Sequence, residues 1–166
     1  NLYLIPPCGN PLRETDRCFT FAAMVPLQVY NSLQSDIEIE RLIQIKNLII
    51  GGGFIDPQLE KSLKAFPNKI YSSYGMTETL SHIAGRQLNG EKASEYYQPF
   101  GSVKISLSEE NTLIIDAPLV SNEKLITNDI AKIKKDGSFL VIGRKDNVIN
   151  SGGVKVQPEL IEEVLK

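Results

Sequence analysis

The strongest constraint on the fold lies between residues 47 and 75. The apolar run Asn47–Ile50 is cut by Gly51-Gly52-Gly53, and Asp56-Pro57 then supplies an N-cap and first-turn pair for a helix. That helix is expected to reach about Phe66, with Leu59, Leu63 and Phe66 on one face. Pro67-Asn68 ends it before a second extended run, Lys69–Tyr74, enters Gly75. Strand, helix, strand at this spacing is a βαβ unit. The crossover makes the two strands parallel and gathers the loops after their carboxyl ends on one edge of the sheet, where α/β proteins bind ligands. Upstream, Pro26–Leu33 and Ile37–Ile43 read as helices, so residues 20–85 alternate helical and strand signals as an α/β layer does.

After residue 86 the texture changes. Val103–Leu107, Thr112–Ala117, Ile130–Lys134 and Ser138–Ile142 read as short strands parted by the turn signals Glu110-Asn111 and Asp136-Gly137. They predict a small antiparallel barrel or curled sheet. From Gly143 a polar stretch, Arg144-Lys145-Asp146-Asn147, leads through Ser151-Gly152-Gly153 into a helix at Pro158–Lys166 and reads as a linker into another domain. The expected fold class is therefore α/β: a parallel-sheet portion over 1–85, an antiparallel β-barrel-like subdomain over 86–142, and a hinge with the beginning of a further domain over 143–166. The chain opens without Met in the apolar stretch Asn1–Ile5 and stops inside a helical pattern, so it is read as a fragment of a longer protein.

Composition narrows the class of function. At 166 residues, with 42% apolar and 23% charged side chains, the chain has the make-up of a globular protein. Its 18 basic and 20 acidic residues leave a formal charge of −2, so no basic field favours nucleic acid or an anionic membrane as partner. The longest mostly apolar run, Phe19–Leu27, is far below the roughly 20 residues that span a bilayer, and a cytoplasmic location is expected. Cys8 and Cys18 are expected as reduced thiols. His82 is the single histidine, which leaves a His/Cys metal site without ligands and makes any bound metal oxygen-coordinated.

The sharpest chemical constellation is Tyr74-Gly75-Met76-Thr77-Glu78 at a strand end. An aromatic face stacks on a purine, a glycine admits close approach, a threonine hydroxyl donates to phosphate and a carboxylate holds Mg²⁺. The same residues also fit a plain strand-to-helix turn with Thr77 as N-cap and Glu78 in the first helical turn, and both readings stand at this point. Gly52 and Gly53 can floor a base or acyl pocket or simply make a turn; neither G-x-G-x-x-G nor a Walker loop occurs. Thr127-Asn128-Asp129 precedes a strand, where an aspartate accepts ribose hydroxyls or closes an Asx turn. Ser81, His82 and Arg86 follow the Thr77-Glu78 turn directly and are candidate substrate contacts, although His82 also fits a half-buried structural place.

Tyr74-Gly75-Met76-Thr77-Glu78-Thr79, then Thr127-Asn128-Asp129, then Gly143-Arg144-Lys145-Asp146 with Ile149, Gly153, Val156, Pro158 and Glu162 stand in an order and at a spacing that resemble the adenylate-forming superfamily of acyl-CoA synthetases, adenylation domains and luciferases. The resemblance runs from about residue 20 to the end. Within it, Met24-Val25-Pro26, the Ile49–Gly53 turn and the compact linker are most similar to a branch that activates an aromatic keto acid. It implies ATP, Mg²⁺, coenzyme A and a small-molecule carboxylic acid as cofactors and partners, with self-association left open. By the family pattern Tyr74 stacks on adenine, with Gly75 and Met76 beside it; Gly52 and Gly53 line the adenine and acyl pocket. Thr77 contacts the AMP phosphate, Glu78 is the Mg²⁺ ligand, Asp129 holds the ribose and Arg144 assists it. Asp146 is the hinge and Gly152-Gly153 flank the thiol tunnel. Other acyl- or aryl-CoA ligases, adenylation domains and a non-catalytic nucleotide-binding module are the alternatives.

Departures from the pattern are specific. Asn128 replaces the usual glycine, and an asparagine tolerates the left-handed conformation such a turn uses; Asn150 replaces a lysine and Leu160 a frequent glutamate. The Ser/Thr/Gly-rich phosphate loop and the late catalytic lysine of the family do not occur in the sequence. The chain by itself is therefore expected to catalyse no acid-dependent exchange of pyrophosphate into ATP; exchange above background by the purified chain overturns this.

Overall fold

The computed structural model describes residues 2–147 and the backbone of 149–151 and 154–156. These fall into two compact units, the first holding residues 1–74 and 86–94, the second residues 75–85 and 95 onward.

The first unit is the α/β layer. Strand β1 (Phe21–Met24) leads into α1 (Pro26–Ser32) and α2 (Asp36–Gln44), then β2 (Asn47–Ile50), α3 (Pro57–Leu63) and β3 (Lys69–Gly75). β1, β2 and β3 lie side by side and parallel, with Phe21 opposite Asn47 and Asn47 opposite Lys69, as the crossover logic requires. Leu48, Ile50 and Ile70 point from these strands into a core shared with Val29, Leu42, Leu59 and Leu63 of the helices. The Asp56 carboxylate accepts the Gln58 N–H at 2.8 Å, the N-cap expected ahead of Pro57. The helix stops earlier than its apolar pattern predicts, at Leu63 instead of Phe66. Pro67 disfavours a helical Phe66, whose N–H closes a tight turn on the Leu63 carbonyl while its ring still packs against the core.

Buried polar groups join these elements. Asn89 accepts the Ile70 N–H and donates to the Phe66 and Asn68 carbonyls; Asn68 in turn donates to the Leu42 and Ile45 carbonyls. The ends of α2 and α3 and the start of β3 are thus fixed through side-chain amides. Glu38 on α2 is 1% exposed and accepts hydrogen bonds from Asn10, Arg13 and Ser32 at 3.2–3.3 Å. This carboxylate ties the 3-10 turn Pro11–Glu14 to the helices, and Arg41 adds a 2.7 Å bond to the Leu12 carbonyl.

The second unit begins with the turn after Tyr74. β4 (His82–Gln87) pairs antiparallel with the short β5 (Gln98–Pro99) through Ala84 and Gly85. β6 (Lys104–Leu107), β7 (Thr112–Asp116), β8 (Leu125–Ile133) and β9 (Phe139–Arg144) form an antiparallel meander in chain order, a curled half-barrel. Asn111 takes φ 61 in the first hairpin turn, a conformation asparagine tolerates. Phe139 is fully buried, stacks on Tyr97 at 5.6 Å between ring centres and exchanges two backbone hydrogen bonds with it. β10 (Ile149–Ser151) pairs antiparallel with β11 (Val154–Val156).

One expectation is corrected here. β8 begins at Leu125, so Thr127-Asn128-Asp129 lies inside a strand: Leu125 and Ile126 pair with β7 just before it, and Asp129 pairs with Arg144 of β9. In the polar stretch from Gly143, Gly143 and Arg144 finish β9, a 3-10 turn spans Lys145–Asn147, and the β10–β11 ladder follows. The helix expected at Pro158–Lys166 lies outside the described residues. Among the described residues no helix is long and apolar enough to cross a membrane, and Cys8 and Cys18 are both unpaired thiols, as expected.

Removing the Glu38 carboxylate leaves the fully buried Ser32 hydroxyl without its partner. Glu38→Ala is expected to lower stability by about 2 kcal/mol, read as a reduced urea midpoint at unchanged slope.

Candidate functional site

In the first unit the turn after β2 carries Gly51-Gly52-Gly53, with Gly52 at φ 77 and both Gly52 and Gly53 exposed. A Cβ on Gly51 would stand 2.5 Å from the Ser73 hydroxyl of β3, so the first glycine makes room for the neighbouring strand. Tyr74, near the carboxyl end of the parallel β3, is half-buried. Arg86, expected near the acid substrate, is 9% exposed and makes a fork-on-fork pair with Glu60 of α3, at 2.9 and 2.6 Å, plus a 3.0 Å bond to the Ser94 carbonyl. A carboxylate of the chain itself thus occupies the guanidinium.

In the second unit Gly75 begins a reversal completed by His82. A Cβ at residue 75 would lie 2.3 Å from the Ser81 carbonyl oxygen and 3.0 Å from the His82 Cα, so no other residue admits this approach. Between them a 3-10 turn spans Thr77–Thr79, with the Leu80 N–H on the Thr77 carbonyl at 3.0 Å. The strand-to-helix alternative, with Thr77 as N-cap, is not what forms. The tying hydroxyl is that of Thr79, buried, which accepts the Met76 N–H at 2.9 Å and lies 2.8 Å from the Ser81 carbonyl. Thr77, Glu78, Ser81 and His82 stay exposed, and Met76 is half-buried. Leu80 is held at φ 60 while 83% exposed, a strained backbone carrying an apolar side chain outward.

On the half-barrel, Asp129 and Arg144 stand opposite each other in the β8–β9 ladder beside a register shift at Ile130/Ala131. The Asp129 N–H bonds the Thr127 hydroxyl at 3.0 Å, so an ST-type contact replaces the Asx turn, and Asn128 needs no left-handed conformation. Asp129 is 17% exposed; its carboxylate lies 3.4 Å from Arg144, which also grips Asp146 at 2.8 and 2.6 Å. That guanidinium holds the Asp146 carboxyl below the usual carboxylate range. Gly152 and Gly153 lie outside the described residues.

Sequence reasoning assigned no part to Glu60, and Thr79 entered only as the last letter of a motif. The spacing Thr77-x-Thr79 after a glycine carries a signal for the turn, since a hydroxyl beside a tight reversal bonds its backbone. Nothing local announces Glu60 as the partner of Arg86. Among the described residues no cluster of three or more His, Cys, Asp or Glu side chains forms a metal cage. The exposed Glu78 next to the Thr77 hydroxyl nevertheless suits Mg²⁺, which takes one or two carboxylates and draws its other ligands from phosphate and water.

No protein-family model matches the chain. It is 26% identical over 162 residues to a 2-succinylbenzoate–CoA ligase of Haemophilus influenzae, covering 88% of the chain and 35% of that relative. A second 2-succinylbenzoate–CoA ligase, from Geobacillus, is 30% identical over 144 residues, covering 71% of the chain and 29% of the relative. The chain therefore spans about a third of the length of these curated relatives. Among solved structures, an acyl-CoA synthetase (AMP-forming)/AMP-acid ligase II-like protein from Dyadobacter fermentans superposes with TM-score 0.77 at 34% identity, over 96% of the chain and 45% of its own length.

The clash at residue 75 sets a test. Gly75→Ala is expected to cost about 2 kcal/mol or more and to shift the Ser81 and His82 amide resonances, because the carbonyl has to move. Unchanged stability and spectra would contradict the geometry.

Proposed function

This chain belongs to the adenylate-forming acyl-CoA synthetases, and we propose that it is the portion of a 2-succinylbenzoate–CoA ligase that carries the nucleotide-facing turn, the ribose-binding aspartate and the hinge. The supporting observation is that relatives bearing that name align across most of the chain, while Thr77 and Glu78 stand exposed on a turn directly after a parallel strand. In this reading Tyr74 stacks on adenine, flanked by Gly75 and Met76, and Gly52 and Gly53 provide a wall without side chains. Thr77 donates to the α-phosphate, Asp129 accepts the ribose hydroxyls and Arg144 steadies that carboxylate. Glu78 holds Mg²⁺, which neutralises charge on the phosphates.

The chemistry needs no protein nucleophile. A carboxylate oxygen of the acid attacks the α-phosphorus and the bond to pyrophosphate breaks; the coenzyme A sulfur then attacks the acyl carbonyl, AMP departs, and the thiol proton passes to solvent. The residues contribute orientation of the reacting oxygen and donors for the developing charge. Ser81 and His82 are assigned to the substrate's carboxylates as exposed donors. Arg86, paired with Glu60 of α3, is kept as a candidate contact of the same acid. Asp146 is the pivot about which the following domain turns between the half-reactions, and Gly152-Gly153 flank the thiol path.

Calorimetric titration with AMP and with a non-hydrolysable 2-succinylbenzoyl-adenylate mimic tests this reading. The mimic is expected to bind more tightly than AMP and than its fatty-acyl counterpart, and Asp129→Ala to weaken all three about tenfold or more. A mimic no tighter than AMP overturns the acid, and indifference to Asp129→Ala overturns the nucleotide assignment.

A further inference from the structure

The 3-10 turn Lys145–Asn147 leaves β9 with an ion pair, Lys145–Glu110, to which the proposed nucleotide chemistry gives no role. Lys145 reaches the Glu110 carboxylate at 2.5 Å, across 35 residues of sequence. Glu110 sits on the β6–β7 turn, whose shape is set independently: the Ser108 hydroxyl accepts the Glu110 and Thr112 N–H groups at 3.2 and 3.1 Å, and Asn111 takes its left-handed conformation there. On the other side Arg144 grips Asp146 with two bonds while staying 3.4 Å from Asp129. Residues 144, 145 and 146 are thus each held by a charge.

We propose that Glu110 is a positioning residue for this exit: it holds Lys145 while Arg144 bridges Asp129 and Asp146, forming an electrostatic latch that fixes the direction in which the chain leaves β9. One exposed ion pair contributes little, but linked contacts on consecutive residues restrain the same few backbone angles, and a network is the circumstance in which surface charges matter. The latch rests on the ligase reading only in calling Asp146 a hinge. In that reading the latch is closed in one half-reaction and must open for the other. Because its members are exposed, salt weakens it.

Hydrogen exchange at the amides of residues 145–147 in the full chain reads the latch without any nucleotide. At about 0.01 M salt, where charges act over tens of ångströms, Glu110→Lys and Lys145→Glu are each expected to accelerate exchange about two- to fivefold. The double reversal restores the wild-type rate, and about 1 M salt brings all four proteins together. Single reversals that exchange like wild type, or a double reversal that does not rescue, overturn the latch. AMP titrated into the same samples separates the two readings: absence of AMP binding tells against the ligase assignment alone, and the exchange rates still decide the latch.

Discussion

A single close approach governs the chemical face of this protein. The backbone at residue 75 passes so near the Ser81 carbonyl that a Cβ would stand 2.3 Å from that oxygen. Because glycine permits the approach, the chain reverses within a few residues of leaving β3, and one short turn presents a hydroxyl, a carboxylate and two further polar side chains to solvent. Any wider reversal would spread Thr77, Glu78, Ser81 and His82 apart. The buried Thr79 hydroxyl and the strained Leu80 are what holding the chain this tightly entails.

Elsewhere the same economy appears in charged groups that each serve several neighbours. Glu38 gathers three donors and so fastens the amino-terminal turn to two helices. Arg144 lies between a carboxylate inside the sheet and one just beyond it, which makes the last residue of β9 the point where the sheet and the exit turn are joined. Arg86 and Glu60 form the third such centre, with both ends of the guanidinium fork engaged on one carboxylate. In each case the partners are distant in sequence or lie on opposite sides of a turn, so the contact fixes topology as well as local shape.

Much of the fold was legible because it depends on local rules. The glycine run after Asn47–Ile50, the Asp56-Pro57 cap and the Glu110-Asn111 and Asp136-Gly137 turns all act within a few residues, and the structure follows them. The misreadings occur where pairing between strands, or a proline next in the chain, overrode the pattern of the segment itself. Thr127-Asn128-Asp129 has the composition of a turn, yet the pairing of Ile126 and Ile130 with β7 on either side of it and of Asp129 with β9 keeps it within a strand. Phe66 continues an apolar helical face, yet the proline after it ends the helix while its ring keeps its place against the core.

The sequence alone determined the parallel βαβ unit, the meander after it and the identities of the residues offered for chemistry, since periodicity, caps and turn residues are properties of neighbours along the chain. Only the tertiary structure decided what those residues hold. Whether Arg86 meets a ligand or Glu60, whether Thr77 or Thr79 ties the turn, and whether Lys145 finds Glu110 depend on which distant backbone passes within hydrogen-bond reach. Hydrogen bonds and ion pairs act over a few ångströms, and no spacing along one strand encodes the approach of another.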